Sequence, residues 1–373
     1  MAYAPTSPLV TDSARPAMGV MEGKGAYNEH ATIPAAGGQS ALPVLHDAAQ
    51  AVSPALGDPI VIADYGSAEG KNSLAPIRTA IASLRARTAQ NRPIFVVHVD
   101  QPGNDFNTLF ELIESAPERY IADDPFVFPS AIGRSFYRSV FPPEWVHLGW
   151  SSYAAVWLSR VPAPIPDHFI AMGSTASVRA AYESQAAEDW ELFLSLRAAE
   201  LRRGGRLVVV LPALDDTGSS GLNEFMNHAN AALGDLVEAG ALDAEEVTRM
   251  VVPVYPRSKQ QLLAPFAANG SFAGLTVEHC EMRILPDAAW PAYERSQDRR
   301  ALAHEHAMFF RVIFIPTLAS ALDERRPAAE RSAFAELLTD ALERRLIDAP
   351  APQHRFVATI VLAKDGAQAQ AGA

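Results

Sequence analysis

The fold of this chain is most constrained by one stretch, Pro59-Ile-Val-Ile-Ala-Asp-Tyr-Gly-Ser-Ala-Glu-Gly-Lys-Asn72. Its apolar run predicts a buried strand over Ile60–Ala63 that delivers the carboxylate of Asp64 to the strand's end. The turn that follows contains Gly66 and Gly70, which let the backbone approach a ligand closely before a helix begins. Open α/β sheets bind ligands at the carboxyl ends of their strands, so the stretch predicts a nucleotide-like ligand there.

A second stretch repeats this pattern. Ile94-Phe-Val-Val-His-Val-Asp100 is a buried-strand run that again ends in an acid. Two carboxylates at the ends of neighbouring parallel strands can accept hydrogen bonds from a ribose and from an ammonium group. Each acid alone is also compatible with a helix N-cap or an Asx turn, but the equivalent placement of Asp64 and Asp100 favours a shared ligand.

Strands and helices alternate along the chain, which predicts an α/β fold with a mostly parallel sheet. Further strands are predicted at Trp145–Trp150, Arg206–Leu211, Leu275–Leu285 and Arg355–Leu362, the third of them antiparallel. The predicted helices are Ser40–Val52, Ser73–Arg87, Asn104–Glu114, Tyr153–Leu158, Ala180–Arg203, Leu222–Gly240, Asp243–Met250, Asp298–Ala321 and Ala328–Leu346.

These elements predict one α/β core with helical insertions. The core is predicted over residues 20–214, 251–285 and 349–363, and a helical cap over residues 215–250 and 286–348. The Pro-rich residues 1–19 and the Gly/Ala/Gln-rich residues 364–373 are predicted to be disordered.

Composition restricts the functional class. The formal net charge is −12 without a Lys/Arg-rich stripe, which argues against nucleic-acid binding. The single cysteine, Cys280, excludes an intrachain disulfide and a cysteine zinc cluster. Neither a signal peptide nor an apolar run of ~20 residues is visible, so a cytoplasmic protein with no membrane partner is expected. His304-Glu-His306 cannot place both imidazoles on one helical face and is interpreted as a solvated helix.

The glycine turn distinguishes between nucleotide ligands. Gly66–Asn72 is one residue short of a phosphate-binding P-loop, and Asn72 stands where magnesium coordination requires Ser or Thr. The turn also lacks the middle glycine of G-x-G-x-x-G, because Ala68 stands there. Glu69 would repel a pyrophosphate. A cationic, phosphate-free adenosine ligand is therefore favoured, and S-adenosylmethionine is the obvious candidate.

Four stretches of the sequence form a specific series. They are Ile62-Ala-Asp-Tyr-Gly-Ser-Ala-Glu-Gly-Lys-Asn72, Asp100-Gln-Pro-Gly-Asn-Asp-Phe-Asn-Thr-Leu-Phe110, Gly133-Arg-Ser-Phe-Tyr-Arg-Ser-Val-Phe-Pro142 and Ser151-Ser-Tyr-Ala-Ala-Val-Trp-Leu-Ser159. In these residues and in their order the chain resembles the SABATH family of S-adenosylmethionine-dependent methyltransferases, which mostly methylate carboxyl groups of small acids. The resemblance runs from about Met21 to Leu362. It implies a Rossmann-like class I methyltransferase sheet with a helical cap over the active site, S-adenosyl-L-methionine as cofactor, a small carboxylic acid as substrate, and a homodimer.

The resemblance also implies the residues of the site. The implied cofactor-binding residues are Tyr27, Asn28, Asp64, Gly66, Asn72, Asp100, Gln101, Ser135 and Phe136. The implied substrate-binding residues are Tyr153, Val156, Trp157, Met226 and Tyr255. Tyr153 and Trp157 lie four apart on a predicted helix and hence on one face, where they can bracket a flat substrate. Spacing alone favours a core stripe for these two rings, and the resemblance favours a pocket. No residue is assigned as a general acid or base, so catalysis rests on positioning.

The chain departs from the family pattern at two positions. The family's Tyr-x-x-x-Ser-x-x-Gln supplies a glutamine that grips the substrate carboxylate, but the same count from Tyr27 reaches Ala31 and Pro34. Gln39 is the candidate to replace that glutamine. Val251 stands where the family's Phe-Asn-Ile-Pro places an Asn that is associated with magnesium in some members, so no metal is expected.

The missing glutamine leaves alternatives open beside the leading hypothesis, which is methylation of the carboxyl group of a small apolar acid, aromatic or indolic, to its methyl ester. The acceptor can instead be a nitrogen or a hydroxyl, the latter with His30 as a candidate base. In the other alternative the protein binds the cofactor without catalysis.

Overall fold

The fold is given by a computed structural model that describes residue 19 and residues 21–54 and 57–365. Most of the two segments predicted to be disordered, residues 1–19 and 364–373, therefore lies outside the described residues. Lys364 is described, and it is the last residue of the final strand.

The described residues form twelve α-helices and nine strands. The α-helices are α1 (Ala26–His30), α2 (Thr32–Ser40), α3 (Leu42–Ala51), α4 (Lys71–Arg85), α5 (Phe106–Ser115), α6 (Ala176–Glu200), α7 (Asn223–Glu238), α8 (Ala244–Arg249), α9 (Lys259–Leu263), α10 (Trp290–Ser296), α11 (Arg299–Ala319) and α12 (Ala328–Asp348). The strands are β1 (Ile60–Tyr65), β2 (Ile94–Asp100), β3 (Val127–Gly133), β4 (Val146–Ser152), β5 (Leu201–Leu214), β6 (Arg257–Ser258), β7 (Ser271–Phe272), β8 (Leu275–Leu285) and β9 (Arg355–Lys364).

The strands form one sheet in the order β3-β2-β1-β4-β5-β9-β8-β7, with β6 paired to β5. Strands β1 to β5 run parallel to one another. Strand β9 runs antiparallel to β5, and β8 runs antiparallel to β9. The predicted α/β fold is confirmed, and so is the predicted antiparallel strand Leu275–Leu285. The strand order reverses between the adjacent strands β1 and β4, and an open sheet has its ligand crevice at the carboxyl ends of such a pair.

The parallel part of the sheet is buried on both faces, as its apolar runs predict. Helices α3, α4 and α5 cover one face through Leu45, Ile77 and Leu109. Helix α6 covers the other face through Trp190 and Phe193. Each of these five side chains is at most 1% exposed. Burial of this kind stabilises the fold by about 1.5–3 kcal/mol per large side chain, which makes the sheet a rigid platform for the residues at its edge.

A second apolar cluster joins the helices that follow β5 and precede β9. Leu233 of α7, Phe310 of α11 and Leu342 of α12 are fully buried in it. We call these residues and those packed with them the cap cluster. Tyr27 of α1 belongs to the same cluster, so the N-terminal helix and the cap share one core.

Two helix predictions are wrong in part. Residues Tyr153–Leu158 form a turn, for reasons given below. The helix predicted over Ala180–Arg203 ends at Glu200, and Gly204-Gly205, the pair that follows the predicted helix, lies inside β5. There the register with β4 shifts, and Gly204 has φ +75°. The glycines therefore form an irregularity in a strand rather than a helix end.

The prediction of a solvated helix at His304-Glu-His306 holds for one of the two histidines. The His304 side chain is 59% exposed. His306 is only 5% exposed, and its Nε2 lies 2.7 Å from a carboxylate oxygen of the buried Asp287. The two rings point to opposite sides of α11, and the side of His306 faces the protein.

Candidate active site

Asp64, the second-to-last residue of β1, lies in a buried hydrogen-bond chain. His98 lies opposite it on β2, and Nδ1 of that ring donates to the Asp64 carboxylate over 2.8 Å. Nε2 of the ring lies 2.9 Å from the hydroxyl of Tyr120. Asp64 and His98 are at most 1% exposed. The carboxylate of Asp64 therefore links β1 to β2. It does not cap the following helix α4, whose N-cap residue is Gly70.

Asp100 ends β2 beside the glycine turn. Its Oδ2 accepts from the backbone N–H of Ala68 and its Oδ1 from that of Gln101, each over 2.7 Å. The pKa of Asp100 is raised to about 6, chiefly because burial disfavours the charged form; the charge of Asp64 adds to this, while the two N–H groups oppose it. Asp100 is half-buried. The two predicted carboxylates thus interact, and Asp100 is the more accessible of the pair.

The glycine turn packs against the turn that follows β4. Gly66 has φ +92°, and a Cβ there would overlap the Cβ of Ala154. The close backbone approach expected at Gly66 is therefore made to the protein itself. It brings the turn after β1 into contact with the segment that carries Tyr153.

Glu69, in the same turn, anchors the N-terminal helix. Its carboxylate accepts from the backbone N–H of Gly25 over 2.8 Å and from that of Asn28 over 3.2 Å. The side-chain amide N–H of Asn28 donates to the backbone carbonyl of Glu69 over 3.3 Å. The Oδ1 of Asn28 accepts from the backbone N–H of Lys71 over 3.1 Å. Glu69 is 2% exposed. These bonds hold α1, and with it Tyr27, over the end of β1.

Several buried polar atoms at this edge have no hydrogen-bond partner among the described residues. They are Oγ of Ser67, Nδ2 of Asn72, Oγ of Ser152 and the hydroxyl of Tyr153. The first two follow β1, Ser152 ends β4 and Tyr153 follows it, so the four atoms bracket the reversal point of the sheet. An unpartnered buried polar group costs about 1–3 kcal/mol. The cluster therefore fits a polar ligand that completes these hydrogen bonds.

The turn after β4 owes its shape to tertiary contacts. Tyr153 has φ +59°, a left-handed conformation that stops a helix from starting. Its N–H donates to the carbonyl of Val210 over 2.7 Å. Trp157 pairs with Val254 in an isolated bridge, and its carbonyl accepts from the Tyr137 hydroxyl over 2.6 Å. These partners replace the bonds that a helix would make.

Tyr153 and Trp157 still share one wall, although no helix aligns them. Both rings are half-buried and pack against the cap cluster. Met226 of α7 is a buried member of that cluster. A Cβ at Gly37 would overlap the Tyr153 ring, so α2 lies directly on it. Three of the predicted substrate residues thus border the same apolar region.

Val156 and Tyr255 are placed differently. Val156 is 6% exposed, and its carbonyl accepts from the N–H of Tyr255. The Tyr255 ring packs in a separate cluster with Tyr182, and burial raises the pKa of its hydroxyl. It is Val254 that contacts the cap cluster. The structure therefore does not bring the Tyr255 ring together with Tyr153.

Ser135 and Phe136 follow the end of β3, one strand beyond Asp100. Ser135 Oγ accepts from the backbone N–H of Tyr137 over 3.2 Å. Phe136 is buried, with its ring centroid 5.9 Å from that of Phe193 in an edge-to-face contact. The two residues thus lie at the same carboxyl edge as Asp100, on the side away from β4.

Pro34 and Gln39 lie on α2, which covers Tyr153. Pro34 is buried in the first helical turn, where its missing N–H costs no helix hydrogen bond. Gln39 is exposed. The structure therefore does not support Gln39 as a replacement for the absent glutamine.

Sequence reasoning missed three residues that shape this site. His98 was signalled in principle, since a polar side chain within an apolar strand needs a buried partner. Glu69 and Tyr137 carried no such signal. Their partners, Gly25 and Trp157, are distant in sequence and come near only in the folded chain.

A sheet that reverses at β1 and β4, with an acid-tied glycine turn and an overlying helical cap, defines the Rossmann-like methyltransferase class. Residues 16–364 match a family model described as SAM dependent carboxyl methyltransferase. The chain belongs to this family, which is the SABATH family, and its cofactor is S-adenosylmethionine.

Relatives from fungi and plants share this similarity. The chain is 31% identical over 240 residues to Methyltransferase FUS9 of Gibberella moniliformis, a match that covers 64% of either chain and so just under two thirds of the relative's length. It is 28% identical over 300 residues to S-adenosyl-L-methionine:benzoic acid/salicylic acid carboxyl methyltransferase 2 of Petunia hybrida, covering 76% of this chain and 81% of the relative. It is 31% identical over 280 residues to Indole-3-acetate O-methyltransferase 1 of Arabidopsis thaliana, covering 68% of this chain and 72% of the relative.

A solved structure shares the fold. Loganic acid methyltransferase with SAH superposes with a TM-score of 0.74 and 22% sequence identity, covering 93% of this chain and 99% of that one.

Among the residues described here, no group of three His, Cys, Asp or Glu side chains is placed to hold a metal ion. No helix in the described part of the chain is long and apolar enough to cross a membrane.

Proposed function

We propose that this protein transfers a methyl group from S-adenosylmethionine to the carboxylate of a small apolar acid, aromatic or indolic, and releases the methyl ester. The observation that carries the proposal is the junction of two surfaces. Unpartnered polar atoms after β1 and β4 adjoin the apolar wall of Tyr153 and Trp157 under the cap cluster. The first surface fits a polar cofactor and the second a flat apolar acid. Relatives named for benzoic or salicylic acid and for indole-3-acetate support this acceptor class.

The cofactor is proposed to lie across the ends of β1 and β2. When bound it supplies an electrophilic methyl group on a sulfonium sulfur. Asp100 accepts hydrogen bonds from the ribose hydroxyls. The other residues assigned to the cofactor are Tyr27, Asn28, Asp64, Gly66, Asn72, Gln101, Ser135 and Phe136. Asp64 acts through the β1–β2 link rather than by contact, because it is buried against His98.

The acceptor acid is proposed to lie under the cap against Tyr153, Trp157 and Met226. A carboxylate is ionised near neutral pH, since carboxyl pKa values lie near 4, so no general base is required. The indole N–H of Trp157 donates to one carboxylate oxygen and orients the other. Holding that oxygen in line with the methyl group and excluding water from both charges supplies the catalysis.

A homodimer and a cytoplasmic location remain predictions. The homodimer rests on the family resemblance and is tested by light scattering during size-exclusion chromatography. A mass equal to one chain at working concentration contradicts it.

The reaction is tested with the full chain, methyl-labelled S-adenosylmethionine and a panel of benzoate, salicylate, indole-3-acetate and aliphatic acids. Base-labile methyl esters support the proposal. A labelled amine or phenol ether as the only product favours the nitrogen or hydroxyl acceptor, and cofactor binding without product favours a protein that binds but does not catalyse.

The site is tested with Trp157→Ala on whichever acid reacts best. We expect kcat/KM to fall by about 10–100-fold, as misplacement of the carboxylate predicts. Trp145→Ala is the matched control, because Trp145 is 51% exposed and precedes β4. An unchanged kcat/KM in Trp157→Ala rules out this placement of the acid.

A further inference from the structure

Arg355, the first residue of β9, is a buried cation that none of the roles above uses. It is 8% exposed, and its Nε is buried with no hydrogen-bond partner in the described part of the chain. Its Nη2 donates to the neutral side-chain oxygen of Gln353 over 3.0 Å. Among the described residues no carboxylate lies within 4.0 Å of the guanidinium. Burial lowers the pKa of Arg355 to about 10, and the charge of Asp287 opposes this from beyond contact distance. An anion in direct contact with the guanidinium would offset the cost of burying its charge.

The nearest acidic group is already engaged. Asp287 lies 2.7 Å from Nε2 of His306 and accepts from the backbone N–H groups of Ala289 and Gln353 over 2.9 and 3.0 Å. Burial works to raise the pKa of Asp287, but these donors and the charge of His306 outweigh it and hold the pKa at about 2. The Asp287 carboxylate therefore has its own partners, and Nε of Arg355 remains unpaired.

Arg355 lines a cavity beside the proposed substrate wall. The cavity has a volume of about 470 Å³, and its apolar lining includes Ile33, Leu285 and Phe309. The guanidinium carbon lies 5.5 Å from the centroid of the Phe309 ring. Two further acids line the cavity, Asp298 and Glu305, but both are exposed at its rim. Asp287 also lines the cavity, but its carboxylate already has three hydrogen-bond partners, so Nε of Arg355 is the charged donor of the lining that has no partner among the described residues. The volume of the cavity suits a small organic ligand.

The cavity adjoins Tyr153 through helix α2. Ile33 and Ala36 of α2 line the cavity, and Gly37 of the same helix lies on the Tyr153 ring. Burial raises the pKa of Tyr153, and the charge of Arg355 works against that rise. The guanidinium is thus within electrostatic reach of the Tyr153 hydroxyl, which is itself buried without a partner. Helix α2 therefore packs against both the Tyr153 ring and the cavity that contains Arg355.

Arg355 is too far from β1 to hold the oxygen that receives the methyl group. Strand β5 separates β9 from β4, and β4 separates β5 from β1. Neighbouring strands lie ~4.8 Å apart, so the start of β9 lies roughly 10 Å from the end of β4 and roughly 14 Å from β1. A tight ion pair would also make the acceptor carboxylate a poorer nucleophile. The anion that Arg355 binds is therefore a second group on the acceptor molecule.

We infer that the acceptor is a dicarboxylic acid whose far carboxylate binds Arg355 while its near carboxylate is methylated. The planar guanidinium matches a carboxylate, with Nε as a free donor. The apolar middle of the acid lies against Tyr153. A bond forms between one oxygen of the near carboxylate and the methyl carbon, the carbon–sulfur bond breaks, and its electron pair stays on sulfur. No proton moves, and the product is a monomethyl ester. This inference rests on the proposed function and narrows its substrate class.

The test compares acids that differ only in the second carboxylate, namely suberate with octanoate and terephthalate with para-toluate. We expect the wild-type protein to prefer at least one of these diacids by about tenfold or more in kcat/KM. Arg355→Met should lower kcat/KM for that diacid by about 100-fold, mainly through KM, and change kcat/KM for the matched monoacid by less than about threefold. Met is chosen because an apolar residue of similar volume in place of a buried ion preserves folding. Arg355→Lys should recover part of the loss.

Arg295→Met is the matched control, because Arg295 is exposed on α10 beside the same cavity. An equal loss for diacid and monoacid in Arg355→Met, or a wild-type preference for the monoacids, overturns the inference. Failure of the proposed function is seen separately, as absence of any ester from the wild-type protein. Calorimetric binding of suberate in the presence of S-adenosylhomocysteine then decides the Arg355 site: loss of binding in Arg355→Met supports it, and equal binding overturns it.

Discussion

Replacing Glu69 by Gln should release the N-terminal helix from the glycine turn. The carboxylate accepts two backbone N–H groups of α1, from Gly25 and Asn28, at 2.8 and 3.2 Å. A hydrogen bond to a charged acceptor contributes about 1.5–3 kcal/mol and a neutral one about 0.5–1.5 kcal/mol. Gln keeps one carbonyl acceptor and turns an NH₂ group toward the other N–H. The lost bond costs about 1.5–3 kcal/mol and the bond that becomes neutral about 1–1.5 kcal/mol, so docking of α1 should weaken by roughly 2.5–4.5 kcal/mol.

This loss corresponds to about 60–1,600-fold in the opening equilibrium of α1. Amide hydrogen exchange over residues 21–31 should therefore accelerate by that factor in Glu69→Gln, while exchange in β1 stays unchanged. The dissociation constant of S-adenosylmethionine, measured by calorimetry, should rise by up to the same factor, because Tyr27 and Asn28 are proposed to contact the cofactor only when α1 is docked.

Glu29→Gln is the control for this prediction. Glu29 lies on the same helix, but its side chain is 77% exposed, and it should alter neither exchange nor cofactor binding. Unchanged exchange over residues 21–31 in Glu69→Gln would refute the reasoning, since it would mean that the carboxylate does not hold α1. Equal effects of both variants would assign the change to net charge instead.

Two further predictions concern Asp100 and Tyr137. Because the pKa of Asp100 is raised to about 6 and the ribose is proposed to donate to the ionised carboxylate, affinity for S-adenosylmethionine should fall as the pH drops through about 6. Calorimetry from about pH 5 to about pH 8 checks this, and Asp100→Asn should bind weakly with that pH dependence gone. In the ligand-free protein the sign is opposite: a raised carboxyl pKa means that the folded state holds its proton more tightly, so Asp100 should add to the free energy of unfolding as the pH falls from about 6 toward 4. Tyr137→Phe removes the bond to the Trp157 carbonyl, 2.6 Å long, and should raise the KM for the acid by about fivefold, as a loss of ~1 kcal/mol predicts. Cofactor affinity should stay constant in Tyr137→Phe, and a parallel loss of cofactor binding would contradict the separation of the two half-sites.

The local sequence pattern was sufficient to predict those strands and helices whose formation depends on their own residues. The run Ile60–Ala63 and the run before Asp100 predicted adjacent parallel strands, because a strand buried on both faces must be apolar throughout. Leu275–Leu285 was predicted with its observed ends, because alternation is typical of a sheet with one covered face. Helices α7, α8, α11 and α12 were found from their 3.6-residue period, whereas the short helix α10 was not predicted.

The local sequence pattern was insufficient to predict the conformation or burial of residues whose hydrogen-bond partners lie elsewhere in the chain. Tyr153–Leu158 has a helical spacing, but the N–H of Tyr153 bonds to β5 and the carbonyl of Trp157 bonds to Tyr137. His306 was interpreted as solvated, but its side chain is buried and lies within hydrogen-bond distance of the Asp287 carboxylate. In both cases tertiary hydrogen bonds outweigh a local preference that is worth only a fraction of a kcal/mol per residue.

Sequence by itself determined that this chain forms a parallel sheet with acids at the ends of β1 and β2, and which family its motifs resemble. Only the tertiary structure decided which groups can meet a ligand. It buries Asp64 against His98, turns Glu69 onto α1, and leaves Nε of Arg355 without a hydrogen-bond partner among the described residues. The physical reason is that strand formation follows from the apolarity of neighbouring residues, whereas the charge and hydrogen bonding of a site depend on side chains that folding brings together from distant positions.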